Sequence, residues 1–317
     1  VNQTVKTGSN GEITISNLAP GTYTITEQSI NYYEPQQSKT VTVVSGQTAS
    51  VSFNNVLKRS DLKVIKTSED NMNEGVKFRL YGKSTSGQNI DLYATTNAEG
   101  IAVFKDVLIG TNYTLEEVDT AERYIVPDSQ NAVIEWEKVT ENDFYNELKR
   151  GNLKVVKTSE DGLVEGMKFH LYGTSLSGIA VDEYAVTDKN GIAVFEDVLI
   201  GSRYTLEEVD TAEKYIIPDA QTVEVEWNKV TEVSFENILK RGDLKVVKTS
   251  EDGLVEGMKF HLYGTSLSGI AVDEYAVTDK NGVAVFEDVL IGSRYTLEEV
   301  GTAEKYIIPD AQTVEVK

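Results

Sequence analysis

The sequence predicts an all-β fold, a tandem array of small β-sandwich modules arranged end to end, with about seven strands in each. Apolar residues alternate with polar ones in short runs such as "KFHLYG" at 168–173, and turn sequences such as "EDG", "KNG" and "IGS" separate the runs. No segment carries the apolar stripe of an amphipathic helix. The same pattern of runs and turns recurs along the whole chain at a fixed period.

The repeat is 91 residues long. Leu62, Leu153 and Leu244 begin nearly identical segments, "LKVIKTSED", "LKVVKTSED" and "LKVVKTSED", and stand 91 residues apart. Residues 153–225 and 244–316 are identical except at two positions. A unit of this length is too long for a solenoid repeat and suits an independently folding domain.

The repeat predicts four modules, of which the two in the middle are complete. They are expected at 1–59 (lacking its first strands), 60–150 (complete), 151–241 (complete) and 242–317 (lacking its last strand). The connectors are short, at 57–61, 149–152 and 239–243, which is why we expect consecutive modules to stand end to end. Because the chain begins and ends within a repeat, terminal targeting signals are expected outside it.

Composition excludes several classes of function. The net charge of −21 would repel nucleic acids and anionic membrane surfaces, so we expect neither as a partner. The chain has no cysteine, which removes disulfides, thiolate metal sites and cysteine nucleophiles. No apolar run is long enough to span a membrane. No motif predicts a cofactor or a metal, because the calcium-like turns "TDKNG" and "TSEDG" do not complete a ligand set.

Strand alternation places one polar residue on the apolar face of each of three strands. Lys157 shares a face with Leu153 and Val155 in "LKVVKT". Glu208 shares a face with Tyr204 and Leu206 in "YTLEEV", whereas Glu207 points the other way. In the last strand, "VSFENIL", the polar residue on the apolar face is Asn237. The equivalent residues of the second module are Lys66, Glu117 and Asn146.

Two interpretations explain a buried lysine, glutamate and asparagine. Desolvation favours the neutral amine and the neutral acid, so the lysine can act as a nucleophile and the glutamate as a proton shuttle. Attack on the asparagine side-chain carbonyl would release ammonia and leave an isopeptide bond between the first and last strands. The other interpretation is a buried Lys–Glu salt bridge beside a hydrogen-bonded asparagine, which adds little net stability.

Three segments carry a resemblance to a known family. "LKVVKTSEDGLVEGMKFHLYG", "TDKNGIAVFEDVLIGSRYTLEEV" and "VTEVSFENILKRG" resemble the Cna B-type repeat of Gram-positive collagen adhesins and pilins. The resemblance covers essentially the whole chain and implies an Ig-like or prealbumin-like sandwich in each module. It departs from the family after the glutamate, where an "APxGY"-like turn is replaced by "DTAERY" or "DTAEKY".

The resemblance implies an intramolecular Lys–Asn isopeptide bond in each complete module, promoted by the glutamate. The bond-forming residues would be Lys66 with Asn146 and Lys157 with Asn237, and the proton shuttles Glu117 and Glu208. In the outer modules the shuttles would be Glu27 and Glu299, while Asn55 and Lys248 have no bonding partner within the chain. Two bonds are therefore expected.

Three classes of function follow from this interpretation. The leading one is a structural stalk of a cell-wall-anchored adhesin or pilus-like protein, outside a Gram-positive cell, whose partners are neighbouring modules and, through a domain outside this chain, the host extracellular matrix. The alternative is that the repeats themselves bind collagen, fibronectin, integrin or glycan, with repetition supplying avidity. A turnover enzyme is disfavoured, because the candidate chemistry is buried, self-directed and used once.

Three smaller features give weak signals. Arg241-Gly242-Asp243 spells an integrin-type tripeptide, but one substitution generates it from the connectors at 59–61 and 150–152. "NYT" at 112–114 matches the letters of a glycosylation sequon, but nothing else in the sequence supports glycosylation there. His170 and His261 are equivalent residues of two repeats. They lie on the face of the strand opposite the apolar residues and are predicted to be exposed.

Overall fold

The structure is a computed structural model that describes residues 2–317. Its secondary structure consists of β-strands, numbered here β1 to β22, and the described residues form no helix. None of them therefore belongs to a helix that could cross a membrane. The chain divides into two compact units, residues up to Glu147 and residues from Leu148 onward. The all-β prediction is confirmed.

The strands follow the repeat. The first repeat has β1 (Gly21–Ile25) and β2 (Lys39–Val43). The second has β3 (Arg59–Ser68), β4 (Lys77–Lys83), β5 (Asn89–Thr95), β6 (Ile101–Leu108), β7 (Gly110–Val118), β8 (Gln130–Ile134) and β9 (Thr140–Asn146). The third has β10 (Arg150–Ser159), β11 (Lys168–Thr174), β12 (Ala180–Val186), β13 (Ile192–Leu199), β14 (Gly201–Val209), β15 (Gln221–Val225) and β16 (Val230–Asn237). The fourth has β17 (Arg241–Val247), β18 (Lys259–Thr265), β19 (Ala271–Val277), β20 (Val283–Leu290), β21 (Gly292–Val300) and β22 (Gln312–Val316).

Each complete repeat is a sandwich of a three-stranded and a four-stranded sheet. In the second repeat the strand orders are β6-β3-β9 and β5-β4-β7-β8, and in the third they are β13-β10-β16 and β12-β11-β14-β15. The first and last strands of the repeat, β3 with β9 and β10 with β16, pair in parallel, whereas the other pairs are antiparallel. The chain therefore enters and leaves each sandwich on adjacent strands.

Alternation along the strands builds the core between the two sheets. In β10 the residues Leu153 and Val155 are fully buried, and in β14 the residues Tyr204 and Leu206 are fully buried, as the sequence predicts. Their neighbours on the opposite faces are partly or fully exposed. Burying one face of each sheet against the other removes the apolar side chains from water, which supplies the main driving force for the fold.

The turn at Asn190-Gly191 forms, but it is not the hairpin turn that this dipeptide usually indicates. β12 before it lies in the four-stranded sheet and β13 after it lies in the three-stranded sheet, so the turn carries the chain from one sheet to the other. Gly191 has a φ of 76°, a left-handed conformation that favours glycine.

The outer repeats have fewer of these strands. The first repeat contains only the pair β1–β2 among its described residues. In the fourth repeat β17 pairs with β20 alone, while its second sheet, β19-β18-β21-β22, has all four strands. The fourth repeat therefore shows the same sandwich without a last strand beside β17.

The integrin-type tripeptide lies inside β17, where Asp243 is exposed and both charged side chains have partners within the fold. Arg241 forms an ion pair with Glu160 of the preceding repeat, and the Asp243 carboxylate accepts a hydrogen bond of 2.9 Å from the backbone nitrogen of Asp288. A regular strand with these contacts does not present the tripeptide as a flexible loop would. The geometry argues against integrin recognition at this position.

Candidate functional site

The lysine predicted to face the core is buried in both complete repeats. Lys66 is 1 % exposed and Lys157 is 2 % exposed. Each lies near the end of the first strand of its repeat, and its Nζ donates a hydrogen bond of 2.5 Å to the carbonyl oxygen of the next residue, Thr67 or Thr158. A lysine this deeply enclosed is rare unless another group compensates for its lost hydration.

The asparagine lies on the strand beside the lysine and on the same face. In the parallel register Lys66 is opposite Phe144, and Asn146 lies two residues further along β9. Side chains two residues apart on a strand share a face, so Lys66 and Asn146 are diagonal neighbours. The third repeat has the same register, with Lys157 opposite Phe235 and Asn237 two residues on.

The glutamate approaches both groups from the facing sheet. Asn146 Nδ2 donates a hydrogen bond of 2.7 Å to Glu117 Oε1, and Asn237 Nδ2 donates one of 2.9 Å to Glu208 Oε1. In the third repeat Lys157 Nζ is 3.7 Å from the other oxygen, Glu208 Oε2. The structure thus brings the predicted lysine, glutamate and asparagine of each complete repeat together. We call each set of three a triad.

An aromatic pair closes the core next to each triad. Phe78 is opposite Glu117 in the β4–β7 register, and Phe144 is opposite Lys66 in the β3–β9 register. The two rings meet across the sandwich with centroids 5.0 Å apart. Phe169 and Phe235 make the same contact in the third repeat at 5.1 Å. These rings replace water around the triad and lower the local dielectric constant.

Burial changes the acid–base chemistry of the lysines. Desolvation lowers the pKa of Lys66 below its usual value, and the attraction of Glu117 offsets the effect only in part. The pKa of Lys157 is lowered by burial in the same way, against the opposing attraction of Glu208. The neutral amine, which is the nucleophilic form, is therefore easier to reach than in an exposed lysine.

A glycine packs closely against the backbone of the lysine strand. The backbone nitrogen of Lys66 donates a hydrogen bond of 2.8 Å to the carbonyl oxygen of Gly100, in the turn before β6. A Cβ on Gly100 would lie 2.4 Å from the Lys66 carbonyl oxygen, and the residue has a φ of 74°. Gly191 and Gly282 stand in the same relation to Lys157 and Lys248. Only glycine fits this position.

The outer repeats hold incomplete sets. In the first repeat Asn55 Nδ2 donates a hydrogen bond of 2.8 Å to Glu27 Oε1, the same pairing as in the triads. In the fourth repeat Lys248 Nζ lies 3.0 Å from Glu299 Oε2. The pairwise contacts thus recur in repeats that lack the third member.

The sequence did not indicate a second polar cluster in the second, third and fourth repeats. An aspartate in the turn after the lysine strand binds an arginine or lysine and a tyrosine from the loop after the glutamate strand. The clusters are Asp70 with Arg123 and Tyr124, Asp161 with Lys214 and Tyr215, and Asp252 with Lys305 and Tyr306. The partners are about fifty residues apart, so no local sequence pattern shows that they are in contact. The only indication in the sequence was that "TSED" and "AERY" or "AEKY" recur together in the repeats.

The prediction that the two histidines are exposed was wrong. His170 and His261 are half-buried, because each ring stacks on a tyrosine of the neighbouring strand, Tyr184 or Tyr275, with centroids 4.3 Å apart. Each Nε2 also lies within hydrogen-bonding distance of an aspartate carboxylate, at 2.7 or 2.8 Å. Within residues 2–317 no group of three or more acidic or histidine side chains could hold a metal ion.

The family of the chain is shown by comparison with family models. The model described as the SpaA prealbumin-like fold domain matches at residues 1–57, 60–148, 151–239 and 242–317. The chain therefore belongs to this family and consists of four tandem prealbumin-like domains. No curated protein matches it.

Several solved structures are similar to this chain. The TIE protein of Bacillus anthracis is 20 % identical, with a TM-score of 0.64, over 89 % of this chain and 52 % of that one, so this chain spans about half its length. The major pilin subunit BcpA of Bacillus cereus is 15 % identical, with a TM-score of 0.42, over 82 % and 96 %. A streptococcal ancillary pilin is 14 % identical, with a TM-score of 0.35, over 81 % and 95 %.

Replacing Gly100 by alanine tests how tightly the lysine strand is held. We expect Gly100→Ala to destabilise the second repeat by about 2 kcal/mol or more, since a left-handed alanine already costs about 1–2 kcal/mol and the Cβ also collides with backbone. Hydrogen exchange of residues 64–77 would measure the change. Gly87→Ala is the matched control, because Gly87 has a φ of 85° with nothing within 4 Å of the added Cβ. Equal effects of the two substitutions would contradict the tight contact.

Proposed function

We propose that the chain is part of a stalk on the surface of a Gram-positive bacterium, in which each complete repeat forms one Lys–Asn isopeptide bond. The observation that carries this proposal is the triad, with a buried lysine and asparagine on adjacent parallel strands and a glutamate facing both. Membership of the SpaA prealbumin-like domain family supports the structural role.

The proposed reaction needs only the three side chains. A proton passes from the lysine ammonium to the glutamate carboxylate, which leaves a neutral amine next to the asparagine. The amine nitrogen attacks Asn146 Cγ, and the protonated Glu117 donates to the carbonyl oxygen once the carboxamide has turned about its Cβ–Cγ bond. The glutamate then takes a proton from the attacking nitrogen and delivers it to Nδ2. The Cγ–Nδ2 bond breaks as the carbonyl group forms again and its oxygen returns a proton to the glutamate, and ammonia departs. One C–N bond is made and one is broken.

The product removes the burial problem that the triad creates. Before reaction the repeat encloses an amine, a carboxyl group and a carboxamide whose Oδ1 has no hydrogen-bond partner. After reaction the amine and the carboxamide have become one neutral secondary amide, which is cheaper to bury than a charged group. The reaction is used once and leaves no free catalyst, so we do not regard the protein as a turnover enzyme.

The position of the bond suits a protein under tension. A pulling force enters the second repeat at β3 and leaves it at β9, which are adjacent parallel strands. A bond from Lys66 to Asn146 would carry the force directly between them and leave residues 67–145 outside the loaded path. The bond also closes a loop of about 80 residues, which by analogy with a disulfide stabilises the repeat by about 4 kcal/mol.

Other parts of the proposal concern place and arrangement. We propose module boundaries at 1–59, 60–150, 151–241 and 242–317, each boundary lying where a connector leads into a first strand. The four tandem domains of the SpaA prealbumin-like family support neighbouring modules as the partners of each repeat, and an extracellular location belongs to the same proposal. Cell-wall anchoring, and attachment to host matrix through another domain, are further parts of this proposal. No observation favours direct matrix binding by the repeats.

Intact mass tests the number of bonds. We expect the folded, purified chain to weigh two ammonias less than its sequence, because the second and third repeats each hold a complete triad. Glu117→Gln should leave a deficit of one ammonia, since only the third repeat keeps its proton shuttle. Glu116→Gln is the control, because Glu116 lies on the opposite face of the same strand and should keep the deficit at two. A wild-type mass equal to the sequence mass would refute the covalent proposal.

Single-molecule pulling tests the load path. We expect the second repeat of the wild-type chain to show no unfolding step, because the bond shields residues 67–145 from the force. Glu117→Gln should add one step of roughly 280 Å, the extended length of about 80 residues. An unfolding step of that length for the second repeat of the wild-type chain would show that the force does not pass through such a bond.

A further inference from the structure

We propose that the loop after each glutamate strand is a lid that holds the reactive lysine of its repeat in place and seals it from water. In the second repeat the lid is the segment 119–125, between β7 and β8. The proposal rests on the proposed Lys–Asn bond, to which it adds positioning residues outside the triad. The evidence for the lid is the cluster centred on Asp70. None of the hydrogen bonds within the triad involves this cluster.

One side of the lid is fixed to the turn that follows the lysine strand. Arg123 Nε donates a hydrogen bond of 2.8 Å to Asp70 Oδ2, and the Tyr124 hydroxyl donates to Asp70 Oδ1. Arg123 Nη2 also donates to the Tyr124 hydroxyl at 2.9 Å. Ser68 Oγ and the backbone nitrogen of Met72 also donate hydrogen bonds to the Asp70 carboxylate. Asp70 therefore ties the lid to the end of β3 by several charge-assisted hydrogen bonds.

The other side of the lid is fixed to the strand that carries the asparagine. The backbone nitrogen of Ile125 donates a hydrogen bond of 2.9 Å to the carbonyl oxygen of Glu147, one residue after Asn146. The backbone nitrogen of Glu69, in the turn, donates one of 3.0 Å to the carbonyl oxygen of Asn146. The lid and the turn thus connect the ends of the two strands that the proposed bond would join.

The tyrosine of the lid covers the lysine amine. Tyr124 is buried, and Lys66 Nζ lies 5.7 Å from the centroid of its ring, within the range of a cation–π contact. Holding the amine under a fixed ring limits the directions it can take, and productive orientation is worth a large part of a reaction barrier. The ring also occupies space that water would otherwise fill.

The basic residue of the lid balances the charge of the aspartate. The charged and titratable groups that face Lys66 are Glu117 from the opposite sheet, Asp70 from the turn, and Arg123 and Tyr124 from the lid. Burial lowers the pKa of Lys66, the two carboxylates oppose this by favouring the charged ammonium, and Arg123 lowers the pKa further. Arg123 therefore offsets Asp70, so the anchor of the lid does not hold the amine in its unreactive charged form.

The third and fourth repeats show what the lid does with and without a last strand. Their sequences are nearly identical, and the same aspartate, lysine and tyrosine make the same hydrogen bonds in both. With β16 in place, the side chains of Asp161 and Lys214 are 3 % and 15 % exposed. In the fourth repeat the side chains of Asp252 and Lys305 are 40 % and 53 % exposed. The side chain of Lys248 is 19 % exposed, against 0 % for the side chain of Lys157.

The contacts of the lid are the same in both repeats, so they do not depend on the last strand. The lysine side chain is more fully enclosed where the strand that carries the asparagine lies beside it. The proposed lid and the last strand therefore both contribute to enclosing the lysine.

The second repeat is the place to test the lid, because its tryptic peptides are unique in the chain. The full chain is refolded from denaturant by dilution at a series of pH values and quenched with acid at intervals. The measured species is the branched peptide joining residues 64–77 to residues 139–149. The branched peptide containing Asn237 reports the third repeat of the same molecule and serves as the internal reference.

Two sets of variants separate the functions of the lid. We expect Tyr124→Ala to slow bond formation in the second repeat about tenfold or more, and Tyr124→Phe, which keeps the ring, to restore most of the rate. Arg123→Gln should move the midpoint of the pH–rate profile to higher pH. Without this positive charge the Lys66–Glu117 pair keeps its protons to a higher pH, and the proposed reaction needs the pair with one proton. The double variant Asp70→Asn/Arg123→Gln should bring the midpoint back. Glu122→Gln, an exposed change in the same loop, should alter neither quantity.

The outcomes distinguish the lid from the bond it serves. Two results would contradict the lid proposal if the third repeat reacts normally. One is bond formation in Tyr124→Ala at the wild-type rate, and the other is an unchanged midpoint of the pH–rate profile in Arg123→Gln. If Tyr124→Ala does not fold, the pH profile of Arg123→Gln decides the matter, since that variant keeps the tyrosine. The absence of both branched peptides from the wild-type chain would instead refute the isopeptide bond, and the lid with it.

Discussion

A lysine amine enclosed between two sheets beside a glutamate carboxylate is the interaction on which each complete repeat depends. Withdrawing either group alone from water costs several kcal/mol, and removing one partner of such a buried pair typically costs about 3–5 kcal/mol. The asparagine donates a hydrogen bond to Glu117 Oε1, and the carbonyl oxygen of Thr67 accepts one from the lysine amine, whereas Glu117 Oε2 has no hydrogen-bond partner. The proposed reaction would remove this cost by converting the amine into an amide.

The rest of the repeat can be understood as the means of keeping these three side chains together. Parallel pairing of the first and last strands places Lys66 and Asn146 on one face of one sheet, and the sandwich brings Glu117 against them from the other. Gly100 supports the lysine strand from behind, and the Asp70 cluster connects the strand ends. The third repeat has the same contacts, and the fourth has those that do not need a last strand.

Much of this arrangement could be predicted from the sequence, because strand alternation is a local property. The apolar neighbours Leu153 and Val155 identified the face on which Lys157 lies, and Tyr204 and Leu206 identified Glu208 rather than Glu207. The pairing of strands could not be predicted in this way. Asp70 meets Tyr124 across 54 positions of sequence, and the burial of His170 depends on a tyrosine of another strand. Asn190-Gly191 is locally a turn, but which sheets it joins is decided by packing of the whole domain.

The most direct test of the proposed bond is a crystal structure of the folded chain at a resolution that separates bonded from non-bonded atoms. We expect continuous electron density between Lys66 Nζ and Asn146 Cγ at about 1.3 Å, the length of an amide C–N bond, and no density for Asn146 Nδ2. The same result is expected for Lys157 and Asn237. Two separate side chains with Nζ and Cγ at a non-bonded distance of about 3 Å or more, in protein that has folded completely, would contradict the bond.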